Sequence, residues 1–154
     1  MQAPWLDAVL AIEHAVSPHP WQARHFNDCV QAGYAAQVLC AQQTVLGYYV
    51  AMQGVDEVHL LNLAVAPPHQ RQGLARLMLQ HLALWACGLE ARWLWLEVRA
   101  SNTRAIHVYK AFGFCYIGRR KQYYTLADGG REDAHVMRLA LTGTRSLPQG
   151  GSSR

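Results

Sequence analysis

Between residues 92 and 98 the chain reads Arg-Trp-Leu-Trp-Leu-Glu-Val, an extended segment with apolar side chains on both faces. Such a strand is stable only where both faces are covered, inside a sheet packed between helices. A second strand is expected over 57–65 and is stopped by Pro67-Pro68. Between the two, Leu74, Leu77, Met78, Leu82 and Trp85 recur at i, i+3, i+4, i+8 and i+11. That period predicts a helix over 72–87 with Gly88 as its stop.

The remaining chain fits the same plan. Helices are expected over 5–15 and 21–32, separated by Ser17-Pro18-His19-Pro20. In the first, Leu6, Val9, Leu10 and Ile12 form the apolar face, with Asp7 and Glu13 outside it. A hairpin over 34–41 and 45–53 turns at Gln42-Gln43-Thr44. A helix over 102–111 is capped by Ser101 or Asn102, and strands over 114–120 and 134–141 flank a loop containing Asp128-Gly129-Gly130. A hairpin meander followed by strand–helix–strand crossovers gives an α/β (α+β) fold, a mixed sheet with helices on both faces. Residues 1–141 are expected to form a single domain and 142–154 a disordered tail, given its Gly, Ser and Pro content.

Composition narrows the function classes. The net charge of +4 is carried by arginine, with Lys110 and Lys121 the only lysines. A modest basic excess suits anionic partners, but the arginines form no basic tract, so direct nucleic-acid binding is not expected. Cys29, Cys40, Cys87 and Cys115 form no CxxC pair and have no histidine at zinc-ligand spacing, so they read as reduced thiols and no metal is expected. No apolar run reaches the ~20 residues of a membrane span, and the first residues lack a basic n-region. A cytoplasmic protein with no membrane partner is the expectation. The five tryptophans read as core rather than as a stacking platform for bases.

The segment that carries chemistry runs from Leu63 to Arg76. A buried strand ends at Leu63-Ala64-Val65, turns, and enters a helix through Gln70-x-x-Gly73-x-Ala75. Helix N-termini expose unpaired N–H groups and the positive end of the dipole, so the segment is built to hold an anion. Gly73 permits close approach to the backbone, or alternatively serves close packing. Arg71 and Arg76 add charge. The absence of a Lys-Ser/Thr pair and of GxGxxG argues against a nucleoside triphosphate or a dinucleotide.

These residues resemble the GNAT superfamily of acetyl-CoA-dependent N-acetyltransferases, whose pyrophosphate-binding motif Gln70-x-x-Gly73-x-Ala75 matches. Further segments resemble the ribosomal-protein alanine N-acetyltransferase (RimI-type) branch. They are Trp93-Leu94-Trp95-Leu96-Glu97-Val98-Arg99-Ala100-Ser101-Asn102 with Tyr109 and Phe112-Gly113-Phe114, Ile12-Glu13-x-Ala15 with Pro20-Trp21, and Tyr123-Tyr124 with Arg131-Glu132-Asp133-Ala134. The resemblance spans about residues 5–141 and implies a mostly antiparallel, twisted sheet.

It implies roles as well. The strand end Leu63, Ala64 and Val65 would hold the pantetheine arm of acetyl-CoA and polarise the thioester carbonyl. The N–H groups of Arg71, Gln72, Gly73, Leu74, Ala75 and Arg76 would hold the pyrophosphate, and Asn102 would touch the CoA. Glu97 would take the proton of the incoming amine and Tyr109 would protonate the departing thiolate. An α-ammonium of pKa ~8 must lose a proton before it attacks, and a carboxylate beside Trp93 and Trp95 is expected to be partly desolvated. Glu97 also suits an ordinary solvated strand end, and Tyr109 a core aromatic against Ile106.

The implied acceptor is the N-terminal α-amine of a protein, the N-terminal alanine of a small-subunit ribosomal protein. The alternatives are a small amine (polyamine, aminoglycoside or amino acid) and a non-catalytic CoA-binding or ribosome-binding module. The loop between Tyr124 and Arg131 departs from the branch's pattern: it is one residue longer, lacks a proline after the tyrosine pair, and follows Gln122 where Asn is usual. These departures bear on the acceptor side. Glu132-Asp133 reads either as an amine-binding pair or as part of a solvated turn.

Overall fold

The computed structural model describes residues 3–141, so the expected tail over 142–154 lies outside the described residues. In chain order the elements are α1 (Ala3–Val16), α2 (Ala23–Gln31), β1 (Ala35–Ala41), β2 (Thr44–Gln53), β3 (Glu57–Val65), a 3-10 turn (Pro67–His69), α3 (Leu74–Gly88), β4 (Trp93–Arg99), α4 (Thr103–Phe112), β5 (Cys115–Thr125) and β6 (Arg131–Ala140). The strands form one sheet in the order β1-β2-β3-β4-β6-β5. Only β3 and β4 pair in parallel; the other neighbours are antiparallel. The expected mixed, mostly antiparallel sheet is the fold observed.

Two apolar layers flank the sheet. Met78, Leu79 and Leu82 of α3 with Ile106 and Tyr109 of α4 pack on Leu60, Leu94, Leu96 and Met137. Val9 and Ile12 of α1 with Phe26 of α2 pack on Tyr48, Val50 and Ala64. In α3, Leu77 is exposed and Leu79 is buried, a small rotation of the expected face.

Several boundaries differ from the sequence reading for local reasons. Helix α3 starts at Leu74 rather than at residue 72, because Arg71 (φ 64°) and Gly73 (φ 81°) adopt left-handed backbone that a right-handed helix cannot include. The last hairpin is longer than expected. Its turn closes within residues 126–130, where the Leu126 N–H donates to the Gly130 carbonyl at 2.7 Å and the Gly130 N–H to Asp128 Oδ1 at 2.9 Å. The polar run Gly118-Arg119-Arg120-Lys121-Gln122 hides this strand from an apolar-alternation reading. Strand β4 buries one face through Leu94, Leu96 and Val98, while Trp93 and Trp95 are half-buried. The Arg138 guanidinium lies 3.7 Å from the Trp93 ring and 5.2 Å from the Trp95 ring, so a cation rather than an apolar layer covers part of that second face.

The largest departure is Glu13. Expected outside the apolar face of α1, it is 3% exposed. It lies four residues after Val9 and therefore shares that residue's buried stripe.

Candidate active site

The site begins with a break in strand pairing. The β3–β4 ladder runs from Glu57↔Trp93 to Leu60↔Leu96 and stops. At the same level the β2–β3 register slips: Ala51 faces Leu60 but Val50 faces Asn62, which leaves Leu61 as a bulge residue. A bulge bends and twists its strand. Beyond it β3 and β4 diverge, and two cavities of about 430 Å³ and 320 Å³ open in the fork.

The larger cavity is lined by the end of β3 (Leu63, Ala64, Val65), by the turn and start of α3 (Arg71, Gly73, Leu74, Ala75, Arg76), and by α4. Of the residues expected to hold a CoA pyrophosphate, all but Gln72 line it, and Gln72 is exposed. A Cβ built on Gly73 meets no atom within 4 Å. Close packing therefore does not explain this glycine. Its left-handed φ does, together with the open space it leaves before the first N–H groups of α3. Gln70 Nε2 donates to the Val65 carbonyl at 3.0 Å and ties the turn to the strand end. On α4, Asn102 is the N-cap: its Oδ1 accepts from the Ala105 N–H at 3.2 Å. Arg104 and His107, one turn apart, add further basic side chains to the same wall.

The smaller cavity lies on the other side of the fork. Its walls include Glu97, Arg99 and Tyr124, the loop residues Ser17, Pro18, His19 and Trp21, and Glu13 and Asn62. Val16, Leu63, Ala64, Asn102, Ala105 and Tyr109 line both cavities. Tyr109 thus stands at the junction of the chamber at the start of α3 and the one that bears Glu97. It is 8% exposed and packs edge-on against Phe114 at 5.7 Å. Burial, aided by nearby Tyr124, pushes its phenol up to about 12, so it keeps its proton at neutral pH.

Glu97 is partly enclosed. Its side chain retains 28% exposure and pairs with the guanidinium of Arg120. Tyr123 and Tyr124 stand beside it. Burial and then the Glu97 charge push the Tyr124 phenol up to about 12, and the same causes raise Tyr123.

The acids Glu132 and Asp133 are structural. Arg99 Nη1 donates to Glu132 Oε1 at 3.1 Å and to the Thr125 carbonyl at 3.2 Å, and the guanidinium sits 4.4 Å from the Tyr124 ring centroid. The Ser101 N–H donates to Glu132 Oε2 at 3.2 Å. Desolvation alone would raise the Glu132 carboxyl; the hydrogen bonds from Ser101 and Arg99 outweigh it and hold the group below the usual range. Asp133 accepts from Arg119 Nη1 at 3.0 Å and the Gln122 N–H at 2.9 Å. Neither is left as an amine-binding pair.

Sequence reasoning brought Glu97, Tyr109, Asn102 and the Leu63–Arg76 segment to one place. It did not assign roles to Glu13, Asn62, Arg99, Arg120 or Tyr124. The motif segments containing Glu13 and Tyr124 were visible, but nothing in their spacing reveals a shared cavity. Among the described residues no group of three or more His, Cys, Asp or Glu could hold a metal ion, and no helix is long and apolar enough to cross a membrane.

Comparison with known proteins fits this geometry. Residues 5–114 match the family model described as the acetyltransferase (GNAT) family. The chain is 36% identical over 137 residues to the ribosomal protein bS18-alanine N-acetyltransferase of Escherichia coli (strain K12), covering 89% of this chain and 92% of the relative. It is 39% identical over 132 residues to the enzyme of the same name from Haemophilus ducreyi, covering 84% and 90%. The crystal structure of the ribosomal-protein-S18-alanine N-acetyltransferase from Escherichia coli superposes with a TM-score of 0.83 at 35% identity, covering 92% of this chain and 90% of that one.

Proposed function

The chain belongs to the GNAT acetyltransferase family, and we propose that it moves the acetyl group of acetyl-CoA to the N-terminal α-amine of a protein in the cytoplasm, specifically the N-terminal alanine of a small-subunit ribosomal protein. The observation that carries this reading is the pair of cavities meeting at Tyr109, one lined by the N-terminus of α3 and the other by Glu97.

The division of labour follows from that geometry. The N–H groups at the start of α3, with Arg71 and Arg76, suit the CoA pyrophosphate, and the fork behind Leu63, Ala64 and Val65 suits the pantetheine arm. The acceptor enters from the Glu97 side. Its α-ammonium, pKa roughly 8, gives a proton to the Glu97 carboxylate. The neutral nitrogen then attacks the thioester carbonyl. A C–N bond forms and the C–S bond breaks; the departing thiolate takes the Tyr109 proton, and the second proton that the nitrogen sheds on becoming an amide returns to the Tyr109 phenolate, so that the net proton released is the one Glu97 passes to solvent. The Arg120 guanidinium occupies the Glu97 carboxylate until an acceptor cation replaces it.

The acceptor assignment is supported by the activity for which the relatives are named, with 36% identity across most of both chains. The small-amine alternative calls for a cluster of free acids to hold a polycation, and Glu132 and Asp133 are already engaged by arginines.

The test is thiol release from acetyl-CoA with short peptides beginning Ala, Ser, Met or Gly, each with an α-blocked control, alongside spermidine and free amino acids. Turnover confined to free N-terminal Ala peptides is expected. Turnover on spermidine alone moves the protein to the small-amine class. Binding of acetyl-CoA with no turnover on anything overturns the catalytic reading.

A further inference from the structure

Glu13 is the buried charge that the proposed chemistry does not use. Among the described residues it is the sole buried charged side chain. A carboxylate in the interior carries a heavy desolvation cost unless donors surround it. Here three do, each from a different element. The Tyr48 hydroxyl of β2 donates to Oε1. Asn62 Nδ2, beside the β3 bulge, donates to Oε1 at 3.2 Å. The Trp21 backbone N–H, in the loop between α1 and α2, donates to Oε2 at 2.9 Å. Burial and the neighbouring carboxylate raise the Tyr48 phenol, so it remains a donor.

The third bond has a functional consequence. The α1–α2 loop supplies Ser17, Pro18, His19 and Trp21 to the wall of the Glu97 cavity. Pro18 and Pro20 have no N–H to give. Within this loop the Ser17 N–H donates to the Glu13 carbonyl at 3.0 Å, the His19 N–H to Ser17 Oγ at 3.1 Å, the Trp21 N–H to the Glu13 carboxylate, and the Gln22 N–H to His25 Nδ1 at 2.8 Å. The Glu13 carboxylate carries its bond from the loop on into the sheet, through Tyr48 and Asn62, beside the Trp21 ring packed 5.1 Å from that of Phe26.

We infer that Glu13 is a positioning residue for the acceptor: it fastens the α1–α2 loop to the bulged strand and thereby fixes the cavity wall that restricts the acceptor's first side chain to a small one. This rests on the proposed N-terminal acetylation. The need for a carboxylate is chemical. An amide keeps one acceptor oxygen and puts an NH2 donor in place of the other, opposite the Trp21 N–H or opposite Tyr48 and Asn62, so Glu13→Gln, close to isosteric, loses at least one bond.

The experiment compares wild type, Glu13→Gln and Tyr48→Phe. Each is assayed with Ala- and Met-initiated peptides and followed by hydrogen exchange at residues 17–22. In Glu13→Gln, the acceptor KM is expected to rise roughly tenfold and the Ala/Met ratio of kcat/KM to fall, with kcat and the acetyl-CoA KM within about twofold of wild type. Exchange is expected to quicken over 17–22 and stay unchanged over 63–76. Tyr48→Phe also removes a bond from the carboxylate but leaves Trp21 anchored, so its Tm falls while its acceptor KM and Ala/Met ratio hold.

Parallel losses of kcat and KM in both variants, tracking Tm, overturn the inference, as does an unchanged Ala/Met ratio in Glu13→Gln. If Glu13→Gln does not fold, the wild-type exchange decides: an unprotected Trp21 amide overturns the anchor. Absence of wild-type turnover on every peptide, with Trp21 protected, fails the acceptor reading and leaves the anchor standing.

Discussion

The guanidinium of Arg120 on β5 pairs with the carboxylate of Glu97 on β4, across the intervening strand β6. The arginine side chain is 58% exposed and the carboxylate 28% exposed. A pair this open contributes about 1 kcal/mol or less, so opening it for an acceptor costs no more than about fivefold in rate. The contact is therefore a weak cover over the carboxylate, and two substitutions are expected to separate widely. Glu97→Gln should lower kcat by roughly 10²- to 10⁴-fold with acetyl-CoA binding retained. Arg120→Ala should change kcat/KM by less than about fivefold. Steady-state kinetics with calorimetric titration of acetyl-CoA check both; a Glu97→Gln loss under threefold would assign the proton to another group.

Gly73→Ala introduces a methyl group into the open space at the start of α3 and forces it into left-handed backbone. The conformational cost is about 1–2 kcal/mol. Acetyl-CoA affinity is expected to fall by about tenfold or more, equivalent to about 1.4 kcal/mol, with the peptide KM unchanged. Unaltered affinity would remove Gly73 from the cofactor contact.

Tyr109 ties the proposed proton transfer to alkaline stability. Its phenol sits at about 12 when folded, against about 10 in an unfolded chain. The folded protein thus holds this proton more tightly. The resulting stabilisation, on the order of 2–3 kcal/mol, is complete below pH 10 and is lost as pH rises through 12. Tyr109→Phe should flatten the decline in Tm between those limits while lowering kcat. A kcat equal to wild type would leave Tyr109 as packing against Phe114.

Arg99→Ala removes the side chain that ties Glu132, the Thr125 carbonyl and the Tyr124 ring to the end of β4. Leaving the half-buried Glu132 with its Ser101 bond alone should cost about 1–2 kcal/mol. Because the Glu132 carboxyl is held below its ordinary value, this contribution is present above an unfolded pKa of about 4.3 and fades as pH falls below it. Denaturant unfolding at pH 7 and pH 3 should show the variant's deficit at the first and little of it at the second.

The sequence alone determined what is written locally. The α3 period, the glycine before its first turn and the apolar strand of β4 each specify a backbone within a few residues, and together they fix a mixed sheet with an anion-ready helix end beside Glu97. Helix α3 still began two residues late, because Arg71 adopts a left-handed φ that no composition rule assigns to arginine. Tertiary structure alone decided which charges meet. Glu13 reaches Tyr48 and Asn62, Arg99 reaches Glu132, and Arg120 reaches Glu97 across sequence separations of 23 to 49 residues. Those contacts depend on strand register and on the β3 bulge, which belong to pairs of strands rather than to any one segment. The smaller cavity is built from them, and so the lining of the chamber at the start of α3 was legible in the sequence while that of the smaller cavity was not.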